Sequence, residues 1–524
     1  VIRSEALMGL EAPQALGPDG QPIAGQTVCR FQPNAAHHTH LLADRVHQPY
    51  PAADLSEPDA TLTVRDSAES EPELIPRDRW HFGHMSHGEV VPDAEHIVLD
   101  DGFQPGKIYE VVYTTNRCPV VGCGLLAIRD AGSFFHYAPE PENPCAGIER
   151  VYAFGMSQTG RMLRHFLYLG LNLDESDRMA FDGIMSHVGG ARRGEFNHRY
   201  GQPSVQFTPG FGHRFPYADA PLPPLGDGAP EGLLDRQRAS GGMPKVFYTN
   251  SSAEYWRGDC ALLHIGYDED GRLVDLPPSP ETRIYHFAGT QHGPGGLPLT
   301  RENANDGARG RYDFNCLDYT PLLRAALINL DDWASQSQEP PPPSHPRLDD
   351  GTAVTRAEVI QTMSGIVPNL HLPDPDHLLS IHQIDLGPRA DEGIGRFPVV
   401  EGEAYPCFVA AVDQNGNERA GIRLPDLTVP VATLAGWNPR DPETGSPEQI
   451  MPMQGATFFF PANPGADDPR PSLAERYPSR DAFLDAVRRA AEQLVSERYA
   501  LEEDIPLMLA NAAARYDAAL VASS

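Results

Sequence analysis

Three side chains, far apart along the chain, have the types and settings for nucleophilic acyl chemistry. Ser157 lies in Gly155-Met156-Ser157-Gln158-Thr159-Gly160. An apolar run, Val151-Tyr152-Ala153-Phe154, precedes it, and a helical pattern from Arg161 to Leu169 follows. A strand, a tight glycine-flanked turn and a helix can hold a serine hydroxyl proud of a sheet, beside a helix amino terminus that favours developing negative charge. The spacing departs from G-x-S-x-G, because Thr159 stands second after the serine and the glycine comes one later. An ordinary strand-to-helix turn reads the same locally. Lys245–Asn250 reads as a buried strand running into Ser251-Ser252-Ala253-Glu254, and Arg283–Phe287 as the next, ending in Gly289-Thr290-Gln291-His292-Gly293. Carboxylate and imidazole therefore each follow the carboxyl end of a strand, the edge where open α/β sheets bind ligands. In this order His292 would take the Ser157 proton as general base, and Glu254 would orient the imidazole and stabilise its charged form. Singly, Glu254 reads equally as a solvated loop acid and His292 as a packed loop histidine. Asp182 and Asp259 are the fallback acids.

Other residues are candidates by position. The backbone N–H of Gln158 is the expected oxyanion donor, and the loop at Thr114-Thr115-Asn116 is one source for a second. Asn197 and His198, in a long segment after the Phe181 strand, are candidates to face substrate. Trp256, two residues past Glu254, reads as pocket wall or core. Arg161 in the first turn of a helix opposes the dipole, which suits an anion contact or a buried pair as well as a solvated arginine. The groups His37, His38, His40 and His81, His84, His87 lack carboxylates and cysteines at ligand spacing apart from Glu89, so no metal and no cofactor is expected.

These groups need a scaffold, and the strand and helix signals supply one. Residues 1–106 read as an irregular N-terminal segment, rich in proline, glycine and acid, with short strand-like pieces such as Ala60–Val64. An α/β core follows over 107–334, opening on a Lys107–Thr114 strand and a helix from about Gly124 to Tyr137, and carrying a lid-like insert at about 189–240. Alternating strands and helices imply a mostly parallel sheet with helices on both faces. A helix from about Pro321 to Ala334 closes this part. Pro340–Pro343 opens a wrap over 335–450, in which 408–422 reads as a β-hairpin. Residues 451–524 read as helical, with Ser479 as N-cap and Phe483, Leu484, Val487, Ala491 and Leu494 forming an apolar stripe.

Composition narrows the function classes. The 524 residues carry a net charge of −31, which argues against nucleic acid and anionic membranes as partners. Only Lys107 and Lys245 are lysines. Seven scattered cysteines make no disulfide framework and no paired Cys-x-x-Cys zinc site. No apolar run reaches the roughly 18 residues of a membrane span. No signal peptide is recognisable in a chain that opens on Val1, and nothing here assigns a compartment or an oligomeric state.

Taken together, Ile75-Pro76-Arg77-Asp78-Arg79-Trp80, Phe154-Gly155-Met156-Ser157-Gln158-Thr159-Gly160-Arg161, Gly194-Glu195-Phe196-Asn197-His198-Arg199, Ser252-Ala253-Glu254-Tyr255-Trp256 and Gly289-Thr290-Gln291-His292-Gly293 resemble a large group of α/β-hydrolase domain proteins. Leu424-Pro425-Asp426-Leu427 and Gly436-Trp437-Asn438-Pro439-Arg440 fit the same group. The resemblance implies an α/β-hydrolase-like fold with large insertions and a C-terminal extension. It also implies serine-ester chemistry on a small-molecule substrate with Ser157 as nucleophile. It further implies strands upstream of Val1, among them the one whose loop gives the second oxyanion donor. Two other readings share these features: an amidase or thioesterase with the same three residues, and a non-catalytic scaffold that binds a ligand or partner.

Overall fold

A computed structural model describes the chain apart from residues 1, 5–6, 10–11, 44–46, 203–208, 226–227, 305, 466–467 and 523–524, and apart from the side chains of 2–4 and 7–9. Its centre is a parallel sheet of four strands, named here β8 (Tyr152–Met156), β9 (Gly183–His187), β10 (Lys245–Ser251) and β11 (Thr282–Phe287), which pair in that order. Period-two alternation decides which face each residue serves. Ile184, Val246, Tyr248 and Ile284 pack with Leu163, Phe166 and Leu167 of helix α2 (Gln158–Tyr168) on one face. Met185, Phe247, Tyr285 and Phe287 pack with Leu322, Ala326, Leu330 and Trp333 of α4 (Thr320–Gln336) on the other. The parallel sheet and its two helical layers agree with the expectation from sequence.

The N-terminal stretch differs from that expectation. The described residues of 25–115 are not irregular: they contain two antiparallel sheets. One joins β1 (Gly25–Phe31), β7 (Ile108–Thr115), β3 (Thr61–Arg65) and β4 (Glu73–Ile75) in that order. The other joins β2 (His37–Leu41), β6 (Glu89–Phe103) and β5 (Trp80–Ser86). Phe31, Leu62, Trp80, Ile97, Phe103 and Val111 belong to the core that they share. The register slips between Phe82 and Gly83, where a Cβ at Gly83 would stand 2.6 Å from the Val91 carbonyl. Such a bulge breaks the alternation that identifies a strand. The strand after Lys107 accordingly closes this sandwich and does not open the parallel sheet. The polypeptide then runs through α1 (Cys123–Tyr137) into β8, which is an edge strand and leaves Phe154 and Met156 on the surface.

The other edge of the sheet is covered by the C-terminal extension. Past Pro340–Pro343, Ser344 bridges Tyr285 in parallel, with Ser344 N–H donating to Ile284 O and His286 N–H to Ser344 O. Ile422 does the same beside Phe287. The expected hairpin is therefore partial. Val412 and Glu418 form one bridge across the 413–417 turn, but 420–422 leaves to line the sheet, and Phe408–Ala410 pairs with Ala353–Thr355. β12 (Ala432–Ala435) and β13 (Ala456–Phe459) pair antiparallel, followed by α5 (Arg480–Ser496) and α6 (Ile505–Ala522). Ser479 caps α5 by accepting from Ala482 N–H.

Candidate active site

Ser157 sits in the turn from β8 to α2 with φ 57° and ψ −113°, a backbone region that a side chain of its kind rarely adopts. Such strain costs about 1–3 kcal/mol and persists only where the surroundings impose it. They do so here. A Cβ at Gly155 would lie 2.4 Å from Thr159 O, and one at Gly160 would lie 2.8 Å from His187 O. The glycine is thus needed third after the serine, where α2 crosses the end of β9. Thr159, at the position where the shorter motif has glycine, is exposed and stitches the turn instead. Its Oγ1 accepts from Met156 N–H and donates to Met156 O, each at 2.9 Å. Ser157 N–H donates to His187 O at 2.8 Å, which ties the turn to the neighbouring strand.

Glu254 and His292 meet. His292 Nδ1 lies 2.6 Å from Glu254 Oε1, with both residues buried. Glu254 is the third residue of α3 (Ser252–Trp256), and its second oxygen closes a capping box by accepting from Ser251 N–H at 2.9 Å and Ser251 Oγ at 2.5 Å. Each carboxylate oxygen therefore has a fixed task. Burial works against the charged form of Glu254. The attraction and hydrogen bond of His292, with the Arg257 charge, outweigh it, so the carboxyl is held below the ordinary glutamate range. With Nδ1 engaged, the imidazole has Nε2 left for other chemistry.

Three residues that the sequence reading did not single out hold this pair in place. Glu418, buried and supplied by the C-terminal extension, accepts with one oxygen from Ser252 Oγ, His286 Nε2 and Gly289 N–H, each at 2.7 Å. It joins α3, which carries Glu254, to the loop that carries His292. Tyr319 Oη donates to His292 O at 2.6 Å. His187 Nε2 lies 3.1 Å from Tyr319 Oη and its Nδ1 2.9 Å from Thr249 Oγ1. A path of hydrogen bonds therefore runs from the Ser157 backbone through His187 and Tyr319 to the His292 backbone. Nothing local in the sequence marks Glu418, which stands 132 residues from His286.

The remaining candidates are placed as follows. Gln158 is the first residue of α2, so its N–H points out from the helix start. Trp256 is buried against Trp437, ring centroids 5.4 Å apart, and lines a cavity of about 70 Å³ with Gln32, Ile108 and Ile450. Asn197 and His198 line a different cavity, toward the carboxyl end of α2, whereas Ser157 precedes its amino end. Asp182 accepts from Val151 N–H at the amino edge of the sheet, opposite the edge that the acid would have to reach. Asp259 is committed to Arg257 and Arg192, at 2.8 and 3.5 Å. The Thr114 loop is taken up in the sandwich: Glu57 accepts from both Thr114 N–H and Thr114 Oγ1. His37 pairs with His40, and His84 and His96 share Asp93. Among the described residues no group of three or more histidines, cysteines or acids is placed to hold a metal ion. In the same residues no helix is long and apolar enough to cross a membrane.

A four-stranded parallel sheet with helices on both faces, and a strained serine turn at the end of its first strand, define an α/β-hydrolase fold. The chain belongs to the alpha/beta hydrolase domain family, whose match extends over residues 88–510 and so takes in the sheet, the candidate site and most of the C-terminal extension. No curated protein and no solved structure matches it.

Proposed function

We propose that the protein is a serine hydrolase of the carboxylic-ester class, with Ser157 as nucleophile, His292 as general base and Glu254 as the orienting acid. In this mechanism His292 Nε2 takes the Ser157 Oγ proton as the hydroxyl attacks the ester carbonyl. Glu254 Oε1, bonded to Nδ1–H, stabilises the imidazolium that forms. The Gln158 N–H faces the developing oxyanion at the positive end of α2. His292 then returns the proton to the departing alcohol, and water releases the acyl group from Ser157. Amides and thioesters would pass through the same steps.

The observations that support the reading are the 2.6 Å Glu254–His292 bond and, on the turn from β8 to α2, a serine held at φ 57°. A second reading, a scaffold that binds without turnover, draws on the engagement of the Thr114 amide by Glu57, which removes one source of a second oxyanion donor. Labelling with a fluorophosphonate separates the two. A stoichiometric adduct that Ser157→Ala abolishes supports the hydrolase. Folded protein that forms no adduct supports the scaffold.

A further inference from the structure

A cavity of about 70 Å³ lies between the carboxyl half of α2 and the segments 193–198, 211–214 and 390–393. It is positively lined in a chain of net charge −31. Arg193, Arg214 and Arg236 border it together with His165 and His198. Among the described residues, the carboxylates paired with these guanidiniums are Asp391, 2.6 Å from Arg214, and Glu231, 3.6 Å from Arg236. Asp391 is largely solvated, with its side chain 89% exposed.

Several buried polar atoms of the wall residues have no partner among the described residues. His165 has both ring nitrogens unengaged, His198 its Nδ1 and Arg193 its Nε. These residues are 5%, 7% and 5% exposed, so solvent does not satisfy them from outside. Buried polar groups left this way cost about 1–3 kcal/mol each. The walls are fixed. Arg193 stacks on Tyr168 at 3.7 Å and donates through Nη2 to Phe215 O. Arg236 lies on the same ring at 4.4 Å and reaches Tyr168 Oη. His198 stacks on Phe211 at 3.6 Å. Burial first, then the neighbouring guanidiniums, brings His165 down to about 3, so the imidazoles are neutral and the cavity's charge is that of three arginines less the Asp391 carboxylate, which also lines it.

We propose that this cavity is an oxyanion site that takes one phosphate- or sulfate-type group, free or as the end of a small molecule. The size fits. A water occupies about 30 Å³, so the space holds two waters or one small oxyanion but no larger body. Arg214 and Arg236 are partly exposed, so the rest of a ligand could lie outside. The attraction must come from side chains, because the nearby end of α2 is its negative pole. Guanidinium bonds to such oxygens are the strong, charge-assisted kind. The site stands apart from Ser157, and it does not depend on the hydrolase reading.

Calorimetric titration of the full chain with inorganic phosphate, sulfate and glycerol phosphate, at fixed ionic strength against chloride, tests this. One-to-one saturable binding is expected. Glycerol phosphate binding more tightly than phosphate would mark a terminal group as the ligand, and the reverse order a free ion; either supports the site. Replacing Arg214 and Arg236 together by glutamine should weaken binding about tenfold or more. Asp391→Asn, which frees Arg214 from its competitor, should tighten it severalfold and so tests the site without any loss of folding. Absence of saturable binding in protein with native circular dichroism would overturn the proposal and leave the cavity to water. Binding indifferent to all three substitutions would overturn it as well.

Discussion

Among the described residues, two buried glutamate–histidine pairs are built from almost the same parts. Glu254–His292 spans 2.6 Å and Glu418–His286 spans 2.7 Å. Both join the end of β11 or its loop to a carboxylate on α3 or bonded to it. They differ in which nitrogen the carboxylate takes. Glu254 takes Nδ1 of His292, so the ring tip is available, and the side chain keeps 10% exposure. Glu418 takes Nε2 of His286, so the tip is consumed, Nδ1 is left unpartnered and the ring is fully buried. On the proposed function, the same two functional groups serve chemistry in one orientation and architecture in the other.

That contrast can be broken experimentally. The largest effect is expected from Ser157→Ala or His292→Ala, each lowering ester turnover about 10⁴-fold or more, measured as kcat with unchanged thermal midpoint. Glu254→Gln should follow with a loss of about 10³- to 10⁴-fold in kcat. Glutamine still completes the capping box, so unfolding by urea should move by less than about 1 kcal/mol. His286→Leu strands Glu418 without its partner and should cost about 3–5 kcal/mol in the same urea experiment, while native molecules keep most of their kcat. If instead His286→Leu struck kcat as hard as Glu254→Gln and left stability alone, the two pairs would have been assigned the wrong way round.

A smaller effect concerns His187, whose ring reaches Tyr319 Oη. Burial brings His187 down to about 4, with Glu254 opposing and His292 adding to the fall. Its unfolded value is about 6.5, so the unfolded chain binds the extra proton first. Stability should therefore be full above pH 6.5 and fall as pH drops toward 4, by about 3 kcal/mol from this residue. Urea midpoints between pH 7 and 4.5 measure the slope. His187→Gln should flatten it, and an unchanged slope would mean that the proton goes elsewhere.

The sequence made one of the two pairs visible. Ser157, Glu254 and His292 each follow a strand that short apolar runs announce, and Ser479 announces α5 by the chemistry of a cap. Glu418 was hidden because its partners lie in α3, in β11 and in the loop after it, and no local pattern records contacts over such separations. The N-terminal sandwich was hidden for another reason. Its strands are bulged, and β6 carries Pro92 and acids among its apolar residues, so the alternation that reveals a sheet is interrupted. The arginines of the oxyanion cavity are scattered over 193–236 and become neighbours only after folding.

Glu418 also bears on how small a working version of this protein can be. Alternation of strands and helices stops near residue 334, and a designer trimming to a minimal unit would cut there. That cut would discard the flanking segments at Ser344 and Ile422, expose the hydrogen-bonding rim of β11 and remove the side chain that joins the helix of Glu254 to the loop of His292. The excised piece would keep Ser157, Glu254 and His292 in its sequence and lose the means of holding them in place.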